Sequence, residues 1–205
     1  MKELPEINVI ENTYKIELKE KGSRFLSYAV PVENEETAFS KLEEFKKEFY
    51  DASHHCYAFK LLNNFKYSDA GEPSGTAGIR ILNAIDHFHL VNILLVVVRY
   101  FGGTKLGVGG LGRAYYDSAL QVLETAEIKK RFLYQKIIIK LDFQFAQKVY
   151  HLFNDNDKKI LKVNYDNQAM FECIVKPEMI NQVIKALRDL TNGSVEIINS
   201  EKIYC

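Results

Sequence analysis

Hydrophobic positions in the first 131 residues follow a succession of strand-like and helix-like spacings. The predicted elements are, in order, two strands around a turn at 21–23, a helix capped by Asn34, a strand at 56–62, a short helix at 81–88, a strand at 91–101 and a long helix at 111–126. The 91–101 segment is apolar on both faces and rich in β-branched side chains, which predicts a buried strand.

The pattern changes at residue 132, where shorter elements follow one another closely. The predicted elements are a strand at 135–141, a helix around 145–153, a hairpin of strands at 160–165 and 169–175, a helix at 179–190 and a strand at 195–204. The order βαββαβ is typical of a ferredoxin-like plait. We therefore predict an α+β protein with two domains, residues 1–131 and residues 132–205.

The amino-acid composition indicates the class of protein, and the distribution of charge indicates where an anion-binding surface would lie. Apolar residues make up 47% of the chain and charged residues 26%, which is ordinary for a globular protein. The 27 basic and 27 acidic residues give no net charge, which argues against a chain that is basic throughout but not against a local patch. Residues 1–50 carry eight basic and eleven acidic side chains, and residues 51–134 carry nine and seven. We expect an anion-binding surface in the second of these stretches.

The cysteines and the apolar runs of the sequence indicate the cellular compartment of the protein. Cys56, Cys173 and Cys205 are odd in number and widely spaced, with no disulfide framework and no zinc-ligand spacing. The N-terminal stretch lacks the apolar core of a signal peptide, and the most apolar run, Ile93–Val98, is too short to cross a bilayer. We predict a cytoplasmic protein that binds neither a metal nor a cofactor.

The most unusual stretch is the glycine-rich segment, residues 101–113, with the sequence FGGTKLGVGGLGR. Six of its thirteen residues are glycine, out of only 11 in the chain. They are Gly102, Gly103, Gly107, Gly109, Gly110 and Gly112. Such a density favours close approach of a ligand or of another backbone, or convergence of N–H groups on an anion at a helix N-terminus. Lys105 lies within the segment, Arg99 just before it and Arg113 in the predicted first turn of the helix.

Two familiar glycine motifs do not explain this segment. The G-x-G-x-x-G spacing at 107–112 matches a dinucleotide fingerprint, but no acidic residue follows at the end of a second parallel strand. The G-x-x-x-x-G spacing at 102–107 resembles a P-loop, but Val108 stands in the lysine position. A glycine connection that only packs a helix onto a sheet remains an open alternative to anion binding.

A second loop, SDAGEPSGTAG at residues 68–78, combines the acids Asp69 and Glu72 with the hydroxyls of Ser74 and Thr76. These acids could pair with the basic residues of the glycine-rich segment, which would make the two loops one site. Alternatively, the loop orders itself by local side-chain hydrogen bonds and opens a helix at Thr76. If the protein is an enzyme, Asp69 or Glu72 is the candidate general base.

The sequence His54-His55-Cys56 suggests metal or nucleophile chemistry. Adjacent residues on a strand point to opposite faces, so His54 and His55 cannot ligate one metal ion. Cys56 shows no sign of activation, and a buried structural cysteine is the commoner case. If the protein is an enzyme, His54 or His55 is the candidate partner of the general base.

Three stretches closely resemble the signature of the IMPACT family, in its bacterial, YigZ-type branch. They are HHCYAFKL at 54–61, SDAGEPSGTAGIRIL at 68–82 and VVVRYFGGTKLGVGGLGRAYYDSAL at 96–120. Arg80 stands where the family pattern has proline, and Val98 where threonine is usual. The resemblance implies an N-terminal βα sandwich like that of a small-subunit ribosomal protein and elongation factor G, followed by a ferredoxin-like plait. It also implies relatives that regulate translation.

Two functions are compatible with these observations. The first is a non-enzymatic, translation-associated protein that contacts RNA, the ribosome or a translation factor. Its candidate binding residues are Arg99, Tyr100, Gly102, Gly103, Lys105, Gly107, Gly109, Gly110, Arg113, Ser74 and Thr76. The second is an enzyme that acts on a phosphorylated small molecule held by the same loop, with Asp69, Glu72, His54 and His55 as candidate catalytic residues. The oligomeric state has no signal in the sequence.

Overall fold

The computed structural model describes residues 3–155 and 157–205. These residues form a mixed α+β structure with two antiparallel sheets, which confirms the predicted class. The strands are β1 (Glu6–Ile10), β2 (Tyr14–Glu20), β3 (Ser23–Pro31), β4 (His54–Lys60), β5 (Phe65–Ser68), β6 (Ile93–Tyr100), β7 (Ile128–Leu141), β8 (Lys158–Tyr165), β9 (Ala169–Val175) and β10 (Glu196–Tyr204). The α-helices are α1 (Glu35–Glu48), α2 (Gly78–His87), α3 (Gly107–Glu124), α4 (Ala146–Leu152) and α5 (Ile180–Leu190). Among the described residues, no helix is both long and apolar enough to span a membrane.

The first sheet has the order β2-β3-β6-β4-β5, with β6 in the middle. Every residue of β6 from Ile93 to Arg99 is buried, because α1 packs on one face of the sheet and α2 and α3 pack on the other. A strand covered on both faces is favoured by a continuous apolar run such as Ile93–Val98, and the prediction of a buried strand is confirmed.

Helix α1 begins where the sequence predicts it. The Asn34 side chain accepts a hydrogen bond from the Thr37 N–H at 2.8 Å, and the Thr37 hydroxyl accepts one from the Asn34 N–H. This reciprocal capping box stabilises a helix start by about 1 kcal/mol. The helix then buries Ala38 and Leu42 against the sheet.

Helix α3 begins earlier than the sequence predicts, at Gly107 rather than at residue 111. Gly109, Gly110 and Gly112 are therefore helical, and Arg113 lies in the second turn, which corrects the predicted position. Glycine disfavours helix by about 1 kcal/mol per residue, but this local preference is overridden when packing fixes the element. Leu111 supplies part of that packing, together with the residues of α3 that follow it.

The second sheet has the order β8-β9-β7, and β7 also pairs with β10 and with β1. Its helices α4 and α5 contribute Val149, Val183 and Leu187 to a separate hydrophobic core. By its contacts the chain divides into two compact units, residues 7–130 and residues 131–205 with the N-terminal residues up to Glu6. Within the second of these units, the Leu133 N–H donates a hydrogen bond to the Pro5 carbonyl at 3.0 Å.

Candidate binding site

The register of the first sheet places Arg99 at the centre of the candidate site. On β6, Arg99 pairs with Phe25 on β3 and with His54 on β4. Directly paired residues in an antiparallel sheet point to the same face. The guanidinium therefore lies between an aromatic ring and an imidazole at the end of β6, where the glycine-rich segment begins.

Arg99 is only 5% exposed and forms a buried ion pair with Glu72. Its Nη1 donates to the Glu72 Oε1 at 2.6 Å, and its Nη2 donates to the Ser23 hydroxyl at 3.3 Å. The guanidinium also lies over the rings of Phe25 and Phe101, at 5.3 and 5.4 Å. Its Nε is the one fully buried side-chain nitrogen or oxygen without a hydrogen-bond partner in the described part of the chain. Arg99 thus joins the two loops, but its charge is already balanced by Glu72.

A chain of buried polar groups continues from Glu72 into the core. The Tyr115 hydroxyl donates to the same Glu72 Oε1 at 2.9 Å, and the Cys56 Sγ lies 3.2 Å from that hydroxyl. Burial raises the pKa of the Cys56 thiol to about 12 and also raises the pKa of Tyr115, where the neighbouring Cys56 and Glu72 add to the effect. Cys56 is therefore a buried, protonated thiol, as the sequence analysis favoured.

Asp69 organises the loop between β5 and α2. Its carboxylate accepts backbone hydrogen bonds from Gly75, Ala77 and Gly78, at 2.8 to 2.9 Å. Partial burial opposes ionisation of this carboxyl, but the three N–H donors outweigh it and lower its pKa. The loop does order itself locally, as one alternative proposed, although α2 begins at Gly78 rather than at Thr76. With both oxygens engaged, Asp69 is a capping residue and a poor candidate for a general base.

The two histidines lie on opposite faces of β4, as predicted. The His54 Nδ1 lies 2.9 Å from the Ala70 carbonyl, and its Nε2 lies 3.8 Å from the Glu72 Oε2. A carbonyl accepts only from an N–H, so the neutral His54 ring carries its proton on Nδ1. The His55 Nε2 instead lies 3.0 Å from the Phe49 carbonyl, away from the site.

A cavity of about 390 Å³ opens beside His54 and Glu72. We call it the first cavity. Lys105 is an exposed cation on its lining, and Phe101, Leu106, Val108 and Leu111 supply apolar wall. The first cavity therefore combines an apolar wall with a small group of buried polar atoms, as ligand pockets commonly do.

A second cavity, of about 430 Å³, lies between α2 and α3. It is lined by Arg80 on α2 and by Arg113 and Gly109 on α3, together with Thr76 from the loop before α2. In the part of the chain that the structure describes, neither arginine forms an ion pair. Arg80 is not among the residues predicted to bind. From the sequence it stands out only as a departure from the family pattern. Because Val108 lines both cavities, the two are neighbours.

The glycines of the segment serve different purposes. A Cβ at Gly102 would lie 1.9 Å from the Gly22 carbonyl carbon, so two backbones meet there and no side chain can be accommodated. A Cβ at Gly109 would meet nothing within 4 Å. Structure therefore accounts for the first of these glycines and leaves the second unexplained.

Several predicted binding residues form hydrogen bonds within the protein or lie on its surface. The Tyr100 hydroxyl donates to Asp51 at 2.8 Å, outside both cavity linings. Ser74 is exposed on the loop surface, and the buried Thr76 donates its hydroxyl to the Pro73 carbonyl at 2.6 Å. Binding of a ligand by these eleven residues stays a prediction. The linings contain Arg99, Lys105 and Arg113, with Thr76, Gly107 and Gly109.

The fold and the site define a mixed α+β protein whose glycine-rich cationic segment leads from a buried central strand into a helix. Residues 21–123 match the family model described as the Impact N-terminal domain. The chain is 32% identical over 185 residues to the IMPACT family member YvyE of Bacillus subtilis, covering 89% of this chain and 85% of that protein. The chain belongs to the IMPACT family, which confirms the resemblance.

Further similarities cover almost the whole chain. IMPACT family member YigZ of Escherichia coli is 27% identical over 187 residues, covering 89% of this chain and 92% of that protein. A crystal structure of a hypothetical protein aligns with a TM-score of 0.69 at 25% identity, over 97% of this chain and 98% of that one. The similarity therefore extends beyond the domain that the family model covers.

Proposed function

We propose that this protein is a non-enzymatic, translation-associated binding protein that holds RNA phosphates on a cationic surface. The cationic surface consists of Arg80, Lys105, Arg113 and the first turn of α3, residues 107–110. The observation that carries the proposal is that Arg80 and Arg113, both without an acidic partner in the described ranges, line one cavity beside that first turn. Unpaired arginines around a cavity match the geometry of phosphate oxygens.

The start of α3 adds to the attraction for an anion. The residue that precedes the helix, Leu106, makes no side-chain capping bond, and no acidic residue lies in the first turn. A helix start of this kind presents unsatisfied N–H groups and a partial positive charge. These N–H groups therefore attract a negatively charged ligand, as Arg80 and Arg113 do.

The exposed glycines of α3 are consistent with a ligand that comes close to the backbone. Gly109 and Gly110 are exposed, and an alanine at Gly109 would clash with nothing. Alanine would also favour the helix by about 1 kcal/mol. A bare backbone at this place gives a phosphate or sugar room that a side chain would take away.

Family membership supports the association with translation. The implied relatives regulate translation, and we extend to this chain the ribosomal-protein-like and elongation-factor-like fold that the resemblance implies for residues 1–131. In the second unit, the spatial order β10-β7-β9-β8 and the chain order βαββαβ support a ferredoxin-like plait. We prefer binding to catalysis because Asp69 and the Glu72 Oε1 are committed to structural hydrogen bonds.

Fluorescence anisotropy with a labelled single-stranded RNA tests the proposal. We expect Arg80→Ala/Arg113→Ala and Lys105→Ala/Arg113→Ala to weaken binding about tenfold or more, because each removes two phosphate contacts. The matched control is Lys41→Ala/Lys46→Ala, which removes two exposed cations from α1, on the other face of the sheet. Equal affinity in all four proteins would refute the cationic surface. Binding to an acidic protein but to no RNA would point to a protein partner instead.

A further inference from the structure

The first cavity has a polar floor with two unused hydrogen-bond acceptors. The Glu72 side chain is only 4% exposed, and its Oε1 accepts from Arg99 and Tyr115. Its Oε2 forms no hydrogen bond in the described part of the chain, and the nearby His54 Nε2, at 3.8 Å, is an acceptor in the neutral ring. Both residues line the first cavity, so these two acceptors have no donor between them. Two acceptors that line a cavity without a donor favour a ligand that supplies N–H groups.

The charges around this floor select against a cationic ligand. Arg99 balances Glu72 at 2.6 Å, and Lys105 adds an exposed positive charge on the lining of the same cavity. An amine or a guanidinium would meet Lys105 and Arg99 together, and like charges at close range repel. The floor therefore favours a neutral group that carries two adjacent N–H donors.

The wall of the first cavity suits a flat, weakly polar group. Phe101 is 47% exposed, and the Arg99 guanidinium lies over its ring, 5.4 Å from the ring centre. Leu106, Val108 and Leu111 complete the apolar lining. Bases of single-stranded nucleic acid stack on aromatic side chains of this kind.

We infer that the first cavity holds one unstacked guanine of a single-stranded RNA. The inference rests on the proposed function, because it assigns the base that belongs to a strand held by the cationic surface. Guanine is the RNA base that presents two neighbouring donors, N1–H and the N2 amino group, on one edge. That edge faces Glu72 and His54, while Phe101 stacks on the ring. Val108 lines both cavities and separates the base from the phosphates.

The test compares three U-rich single-stranded oligoribonucleotides that differ at one central position, which is guanine, inosine or adenine. Inosine differs from guanosine only in lacking the N2 amino group, so the inosine strand is the matched control for the guanine strand. We expect the guanine strand to bind at least about fivefold more tightly than the other two. Phe101→Ala should abolish this preference and weaken the guanine strand by a similar factor. The control is Phe65→Ala, which removes an exposed ring from β5, outside the cavity.

His54→Gln provides a second variant that retains Glu72 and its ion pair. We expect it to reduce the guanine preference while the affinity for the adenine strand stays the same. Equal affinities for the three strands, or a preference that survives Phe101→Ala, would overturn the guanine pocket. If Arg80→Ala/Arg113→Ala still weakens all three strands equally, the proposed function stands and only the pocket fails.

If no RNA binds, a titration with guanosine 5′-monophosphate tests whether the first cavity binds guanine. We expect the His54 ring resonances of the full chain to shift with guanosine 5′-monophosphate and to shift less with inosine 5′-monophosphate. That result supports the pocket and contradicts the proposed function. Unshifted His54 resonances at millimolar nucleotide contradict both.

Discussion

Glu72 and Arg99 form a buried ion pair, with a distance of 2.6 Å between the Glu72 Oε1 and the Arg99 Nη1. The first residue lies in the loop before α2, and the second lies at the end of β6. The pair therefore fixes the loop against the strand that leads into the glycine-rich segment. The Arg99 guanidinium and the Glu72 Oε1 are engaged in this positioning, and the Glu72 Oε2 is the oxygen of the pair that forms no hydrogen bond in the described part of the chain.

Breaking this ion pair should destabilise the first unit strongly. Arg99→Ala leaves the Glu72 carboxylate buried without its cation, and such losses cost about 3–5 kcal/mol. Urea unfolding followed by circular dichroism measures the change. The control is Lys41→Ala, which breaks an exposed pair with Glu44 and should cost less than about 1 kcal/mol. Equal midpoints for Arg99→Ala and the natural chain would contradict the structural role of the pair.

Gly102 should not tolerate a side chain. An alanine Cβ would lie 1.9 Å from the Gly22 carbonyl carbon and 2.2 Å from the Ser23 nitrogen, so the two backbone segments must separate. We expect Gly102→Ala to lower the free energy of unfolding by more than about 2 kcal/mol. Thermal unfolding checks this, and an unchanged midpoint would show that the close approach is not needed.

Gly109→Ala should have opposite effects on stability and on binding. The added methyl group meets open space on α3, so the helix should gain about 0.5–1 kcal/mol. The same methyl group lies on the lining of the second cavity and should weaken RNA binding. A variant that is more stable and binds as well as the natural chain would remove the functional explanation for this glycine.

The buried thiol makes the protein sensitive to alkaline pH. Burial raises the pKa of Cys56 from 9.0 to about 12 in the folded chain. Between these two values the folded state keeps a proton that the unfolded state releases, so the free energy of unfolding should fall as pH rises through this window. Urea titrations at pH 8 and pH 10 measure the fall, and Cys56→Ala is the control that should show less of it. A fall that is the same in both proteins would assign it to other groups.

Thiol labelling gives an independent check on the same burial. Cys56 and Cys173 are buried and Cys205 is exposed. We expect a thiol reagent to label one cysteine per folded chain at neutral pH and three in urea. Rapid labelling of Cys56 in the folded chain would contradict its placement in the core.

The parts of this structure that follow from the sequence depend on local or strongly periodic signals. Asn34 and Thr37 form a cap within four residues, and β6 is apolar from Ile93 to Val98, so both elements were predictable. Pairing of a loop acid with a loop base was also predictable in kind, because a buried charge needs a partner. The start of α3 was not predictable, because four glycines argue against helix locally and the packing that overrides them is tertiary.

Other features depend on which elements become neighbours in space. Nothing in the one-dimensional pattern brings Arg80 on α2 beside Arg113 on α3, since 32 residues, including a buried strand, lie between them. The strand β5 has only 4 residues and is mostly exposed, so its sequence is too short a signal to mark a strand. The N-terminal residues up to Glu6 group with the second unit through contacts that are far apart in sequence.

The salt dependence of RNA affinity shows whether the cationic surface binds the RNA phosphates. Each phosphate of a single strand that a cation neutralises contributes about −0.7 to the slope of log K against log salt concentration. Arg80, Lys105 and Arg113 together predict a slope of about −2, and Arg80→Ala/Arg113→Ala should reduce it to about −0.7. A slope near −2 that persists in that variant would show that the RNA phosphates are bound elsewhere on the molecule.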